Sequence, residues 1–288
     1  MTQLKIAALC CSYNRLEKTS GFFESLVRQV IPDGYTIDCY LLDDNSNDGT
    51  ADHIEANFPG VQVTRGSGSL FWAGGMRTLW SMVLKKSEYD FYLLFNDDVV
   101  LFDDAIVRIL DAYNKSQYPL NIVAGSVQDF NLSRVTYGGH KLTNKYTGRF
   151  KQVMPDENEL TACDLGNANI MLVDKGTVDR IGILSGYYIH SCADYDYTLK
   201  AIKGGVKVWV APGFYGYCSN DHGRPWMSGK RPLKDRVRYL YSPKGLEYKQ
   251  YLHYIRKFFP LHYPVAFLKL WLKTLLPVVY DKFKKVEG

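Results

Sequence analysis

Phe91-Tyr92-Leu93-Leu94-Phe95-Asn96-Asp97-Asp98 reads as an apolar strand that ends in two adjacent carboxylates. Five apolar residues in succession, without alternation, imply a strand buried on both faces. Three similar runs precede it: Leu4–Cys10, Ile37–Leu42 and Val61–Thr64. Helix-like stretches lie between these runs, at Leu16–Val30, Thr50–Phe58 and Gly74–Ser87. A fourth follows at Asp103–Ser116, with Asp103 as its expected N-cap. Strand–helix alternation at this spacing implies an α/β fold around a mainly parallel, doubly wound sheet. Beyond residue 120 the pattern loosens. Ile122–Val127, Asn169–Val173 and Val206–Ala211 are expected strands, and Tyr195–Lys203 is an expected helix.

The chain has 288 residues, of which 46% are hydrophobic, enough for one large α/β domain with a sizeable core. Its six cysteines are scattered and form no CxxC pair, which suits free thiols in a reducing compartment. The opening Met-Thr-Gln-Leu-Lys-Ile runs directly into a strand and lacks the features of a signal peptide. A cytoplasmic protein is therefore expected.

Charge is unevenly placed. Residues 224–288 hold 15 Lys/Arg against 4 Asp/Glu, whereas residues 1–223 hold 20 against 26. This divides the chain into a body, 1–223, and a basic, tyrosine-rich extension, 224–288. A basic extension on an acidic body suits an anionic partner, although it also suits a merely solvated face. The extension ends in Pro264–Lys285, PVAFLKLWLKTLLPVVYDKFKK. Lys269, Lys273 and Pro277 interrupt it, so it falls short of the ~20 apolar residues that span a bilayer. Lys269 and Lys273 share one helical face, and leucines with Phe267 and Trp271 cover much of the rest. A helix lying in a membrane interface fits this pattern, peripheral on the inner face of the cell membrane. The competing fit is a helix docked on the protein's own core.

Ligands of open α/β sheets bind beyond the carboxyl ends of the strands. Three polar clusters stand there: Ser12-Tyr13-Asn14-Arg15, Asp43–Thr50 (DDNSNDGT), and Asn96-Asp97-Asp98. Each alone is an ordinary turn or cap; their convergence on one rim gives them weight. Asp44-x-Ser46-x-Asp48-Gly49 with Glu55 also imitates a calcium-binding EF-hand loop. That loop needs a preceding helix, and Asp38–Leu42 reads as a strand, so the match is rejected. Asp97 and Asp98 repel one another unless a positive group sits beside them. A hard divalent cation, Mg²⁺ or Mn²⁺, bridging to phosphate oxygens resolves the repulsion.

The order of five segments resembles a family 2 glycosyltransferase of the GT-A fold. They are Ile6–Arg15 (IAALCCSYNR), Leu41–Thr50 (LLDDNSNDGT), Ser69–Arg77 (SLFWAGGMR), Asn96-Asp97-Asp98 and Ala193–Gly204 (ADYDYTLKAIKG). The third is similar to a Gly-rich segment of rhamnosyltransferase-like members. The resemblance implies a Rossmann-like, mainly parallel sheet with flanking helices, extended here by a helical basic and amphipathic C-terminal segment. It also implies roles. Ser12, Tyr13, Asn14, Arg15 and Gly75 would line a nucleotide-sugar site, with Tyr13 stacked on the base. Asp44 would accept a hydrogen bond from the ring N–H of uracil or thymine. Arg77 would face the nucleotide or diphosphate, and Asp97 the ribose or metal. Asp98 would ligate Mn²⁺ or Mg²⁺, with His222 close by as a second ligand. Asp194 would be the catalytic base. The sequence departs from the pattern at Ala193, where many relatives carry Glu. Asp196 is the rival base, but residues two apart do not share a helical face, and the match favours Asp194. Trp72 and Trp226 are candidate walls for sugar rings, although such aromatics more often sit in a core.

The expected reaction is inverting transfer from a UDP- or dTDP-sugar to a hydroxyl of a lipid-linked or polysaccharide acceptor. Two alternatives fit the residues less well. A sugar-nucleotide nucleotidyltransferase wants a Gly-rich, Lys- and Arg-bearing phosphate loop after the first strand, and Cys11–Arg15 is not one. A non-catalytic glycan- or nucleic-acid-binding module leaves Asp97, Asp98 and Asp194 unexplained, so no nucleic-acid partner is expected.

Overall fold

The computed structural model describes residues 3–131, 134–219 and 226–283. The first half alternates strictly. β1 (Leu4–Ser12), α1 (Leu16–Val27), β2 (Tyr35–Asp43), α2 (Thr50–Asn57), β3 (Val61–Arg65), α3 (Phe71–Lys86) and β4 (Phe91–Asn96) follow one another. Then come β5 (Val100–Leu101), α4 (Ala105–Lys115), β6 (Asn121–Gln128), β7 (Val135–Tyr137), β8 (Gly139–Asn144) and β9 (Arg149–Gln152). β10 (Thr161–Ala162), β11 (Leu165–Gly166), β12 (Ile170–Asp174), α5 (Lys175–Ile181), α6 (Ala193–Lys203) and β13 (Lys207–Tyr217) complete the body. The extension holds α7 (Leu233–Tyr241), α8 (Tyr248–Phe258), a 3₁₀ turn at Pro260–His262, α9 (Tyr263–Leu275) and α10 (Val278–Phe283).

The main sheet has the order β10-β13-β6-β12-β4-β1-β2-β3. β3, β2, β1 and β4 are parallel, β12 is antiparallel to both β4 and β6, and β13 is parallel to β6. The expected mainly parallel sheet is what forms. Register brings the expected rim together, since Ser12 pairs with Asp43 and Cys11 with Asn96.

Burial on both faces explains the unbroken apolar runs. Ile6, Ala8 and Cys10 pack on one side with Phe22 and Phe23 of α1, Ile54 of α2 and Ile109 of α4. Ala7, Leu9 and Cys11 pack on the other with Met76 and Trp80 of α3 and Tyr197 of α6. Leu240, Leu252, Ile255, Ala266 and Leu270 of the extension join this second cluster. The extension is thus bonded to the body by shared core. All six cysteines are free.

Two details differ from expectation. α4 begins at Ala105, and Asp104 rather than Asp103 holds its cap position. Asp103 instead lies 3.6 Å from Arg28. The amphipathic end is two helices, because Pro277 cannot continue the first. Residues Ala266, Leu270 and Thr274 of α9, spaced by four, face the protein, while Leu268, Leu275 and Leu276 are exposed. Among the described residues, no helix is long and apolar enough to cross a membrane. The loop at Asp44–Glu55 follows strand β2, as the rejection of an EF-hand requires.

Candidate active site

The loops after β1 and β2 are laced together. Asn14 has a left-handed backbone (φ 52°), which asparagine tolerates. From there its N–H donates to Ser46 Oγ at 2.8 Å, and its Oδ1 accepts from the Asn47 N–H at 2.8 Å. The Leu16 N–H donates to Asp48 Oδ2 at 3.0 Å, and the Asp44 N–H to the Ser12 carbonyl at 2.8 Å. Ser12 is buried, with its hydroxyl 2.7 Å from that of Thr19. Tyr13 is left projecting from this rigid double loop, exposed, with Lys244 Nζ 6.0 Å from its ring centre.

Asp44 is buried and anchors the next loop. Its carboxylate accepts from the N–H groups of Gly68 (2.8 Å), Leu70 (2.7 Å) and Phe71 (3.2 Å). Two carboxylate oxygens offer about four acceptor positions, so one remains for a further donor. Gly75, expected at the nucleotide, is a packing glycine. A Cβ there would sit 2.2 Å from Cys11 Sγ, so only glycine lets α3 close onto β1. Arg77 also has protein partners: its guanidinium donates to the carbonyls of Ser185 (3.0 Å) and Tyr188 (2.9 Å). It ties α3 to the loop before α6.

Arg15 bridges the aspartate pair. Its guanidinium lies 3.0 Å from Asp97 Oδ1 and 2.7 Å from Asp98 Oδ2. Cys218 Sγ approaches Asp98 Oδ1 at 3.4 Å. The Asp97 carboxyl is raised to about 6: burial pushes it up, Arg15 pulls it down, and the charge of Asp98 adds to the rise. Two adjacent carboxylates at a strand end suit a hard cation that takes its other ligands from water and phosphate. Among the described residues, no group of three or more His, Cys, Asp or Glu is arranged to hold a metal. The positive group beside the pair is Arg15, which by itself relieves the repulsion expected between the two carboxylates. His222 lies outside the described residues.

Asp194 stands half-buried in the first turn of α6. Its Oδ1 accepts from the Tyr195 N–H at 2.9 Å, and its Oδ2 from Asn167 Nδ2 at 3.3 Å. Burial raises its carboxyl above the ordinary value, against these hydrogen bonds. Asn169, two residues beyond Asn167, accepts from the Asn96 N–H at 3.2 Å. Asn167 thus touches Asp194, and Asn169 touches the residue before Asp97. Asp196 points the other way. It is fully buried, and its Oδ1 accepts from Tyr188 OH (2.8 Å) and Lys257 Nζ (2.6 Å).

Several of these partners carried no signal in the sequence. Asn167, Glu247 and Lys257 reach the site through contacts 27 to 61 residues away in the chain. A turn-rich Gly-Asn-Ala-Asn before β12 was the one visible cue, for Asn167. Trp226 is no sugar wall: it is buried, and its Nε1 donates to Asp281 at 2.9 Å.

The sequence profile described as "Glycosyl transferase family 2" matches residues 8–174. A search of the curated proteins returns no match. Among solved structures, the chain is similar to the mannosyltransferase PcManGT from Pyrobaculum calidifontis in complex with GDP-Man and Mn²⁺. That likeness has 12% identity and a TM-score of 0.57, over 98% of this chain and 77% of that one. It is also similar to S. aureus TarS 1-349 in complex with UDP, at 14% identity and a TM-score of 0.56, over 99% and 76% of the two chains. The same TarS fragment with UDP-GlcNAc gives 15% identity and a TM-score of 0.52, over 99% and 77%. The fold is that of the GT-A glycosyltransferases. A match over more than half of its residues shows that this chain belongs to glycosyl transferase family 2.

Proposed function

We propose that the chain is an inverting, metal-dependent glycosyltransferase of the rhamnosyltransferase-like branch. It moves a sugar from a UDP- or dTDP-sugar to a hydroxyl of a lipid-linked or polysaccharide acceptor. The observation that carries the reading is an aspartate pair at the rim of the sheet, together with a half-buried aspartate at the start of a helix. The Arg15-bridged Asp97–Asp98 pair ends β4, and half-buried Asp194 opens α6.

A sugar hydroxyl is a poor nucleophile at neutral pH. Asp194 takes its proton as the oxygen attacks the anomeric carbon and the bond to the diphosphate breaks. General-base assistance of this kind is typically worth ~10²–10⁴-fold. Arg15 offers positive charge to the leaving diphosphate, and Tyr13 offers an exposed ring to the base. A divalent cation at Asp98 would neutralise the charge that grows on the leaving group. Asp44 has one acceptor position open for a ring N–H, which favours uracil or thymine. Of the two aspartates on α6, Asp196 is spent on Tyr188 and Lys257, which favours Asp194 as the base.

In this reading residues 1–223 form the catalytic body, and 224–288 bring it to an anionic membrane surface at the cytoplasmic face. The outer side of α9 supports this. Leu268, Leu272, Leu275 and Leu276 are exposed there.

Asp194→Asn tests the reaction. It is expected to abolish transfer while donor binding, followed by thermal shift with Mn²⁺, stays near wild type. Wild-type turnover by this variant would remove Asp194 from the mechanism.

A further inference from the structure

Glu247 belongs to the basic extension, yet it is 4% exposed. It precedes α8 in a left-handed conformation, φ 44°. Both of its carboxylate oxygens accept from one backbone group, the Ser191 N–H, at 3.0 and 3.1 Å. Ser191 is followed by Cys192, itself left-handed at φ 62°, and then by the first residue of α6. Asp194 is three residues from the gripped amide.

The neighbouring contacts hold the same loop. Gln250 Oε1 accepts from the Ile189 N–H at 2.8 Å, and Tyr187 stacks on His253 at 3.6 Å. From the other side, the Ala73 N–H donates to the Ile189 carbonyl at 3.0 Å. These contacts leave the turn at Ser191–Cys192 to Glu247. Burial raises the pKa of the carboxylate, and both the side chain and the N–H of Ser191 hold it and lower that pKa.

We propose that Glu247 is a positioning residue for Asp194. Gripping the Ser191 amide, it fixes the turn into α6 and so the direction in which that helix presents its first carboxylate. The extension thereby takes part in the reaction through α8, apart from any surface it meets. This inference rests on the reading of Asp194 as the base.

The test uses the full chain, Glu247→Ala and Glu247→Gln. Turnover is read as Mn²⁺-dependent hydrolysis of whichever UDP-, dTDP- or GDP-sugar gives the largest thermal shift. Glu247→Ala is expected to lower kcat at least tenfold, to leave donor Kd within twofold, and to speed amide exchange at 189–195. Glu247→Gln keeps an acceptor and loses the charge. It is expected to restore much of the exchange protection and most of kcat. Unchanged kcat in Glu247→Ala would overturn the inference, as would a loss of donor affinity equal to the loss of kcat. Should Glu247→Ala not fold, a tenfold loss of kcat in Glu247→Gln with exchange protection intact does the same. Asp194→Asn separates the two claims: if it is inactive while Glu247→Ala is normal, only the positioning role fails.

Discussion

Lys257 Nζ lies 2.6 Å from Asp196 Oδ1, so the charge buried in α6 is neutralised from α8. Asp196 is 0% exposed, and its second oxygen has no hydrogen-bond partner among the described residues. Removing one partner of such a pair strands the other. Lys257→Met is expected to cost about 3 kcal/mol, seen as a lower midpoint in urea unfolding. An unchanged midpoint would show the pair to be energetically idle.

Gly75 meets Cys11 where α3 crosses β1. Gly75→Ala forces a methyl against Cys11 Sγ, and overpacking of this kind costs about 1–3 kcal/mol. Cys11→Ala removes the obstructing sulfur, so the double variant is expected to recover most of the loss. Thermal melts of the four proteins measure the coupling. Simple additivity would place the cost of Gly75→Ala somewhere other than this contact.

Burial lifts the Asp194 carboxyl. A base acts when ionised, so a raised pKa moves the loss of activity to higher pH. The acid limb of kcat/KM is therefore expected above the ordinary aspartate value of about 3.9, with activity falling as pH drops through it. A pH profile with its acid limb at the ordinary value contradicts the burial argument.

Leu268 and Leu276 are 65% and 54% exposed on the outer side of α9. Burying a leucine in an apolar phase is worth roughly 1.5–3 kcal/mol. Leu268→Glu is thus expected to weaken binding to phosphatidylserine-rich liposomes by at least tenfold, with the melting temperature unchanged. Co-sedimentation reads the outcome, and equal binding by both proteins would dismiss this face as a membrane contact. Point substitutions suit this test better than truncation at residue 260, which would strip Ala266 and Leu270 from the core.

The strands β1, β2, β3, β4, β6 and β12 were readable because a sheet covered on both faces demands continuous apolar runs. The rim clusters were readable for the complementary reason, since strand ends are where polar residues interrupt those runs. β5 and β7 to β11 were not readable: most are two to four residues long, and β8 and β9 are largely polar. α5 escaped notice because one short amphipathic turn resembles a loop. At the site, strand ends pointed to Asp97 and Asp98 and the family resemblance to Asp194, and neither pointed to the residues that contact them. Arg77 reaches carbonyls 108 and 111 residues away, and no local pattern encodes that. Gly75 misled in a physical way. Glycine permits close approach, and the sequence does not say whether a ligand or a cysteine is the body approached.

The reversed strand β12 makes the sheet a seam between two neighbourhoods. On one side, successive crossovers thread β3, β2, β1 and β4, and their connecting loops are cross-braced. On the other, β6 and β13 meet β12 through a separate ladder. Because β12 runs the opposite way, its beginning lies at the rim, where the Asn96 N–H donates to the Asn169 carbonyl. Loops beyond the seam are thus free to lengthen without shifting the register of the braced side.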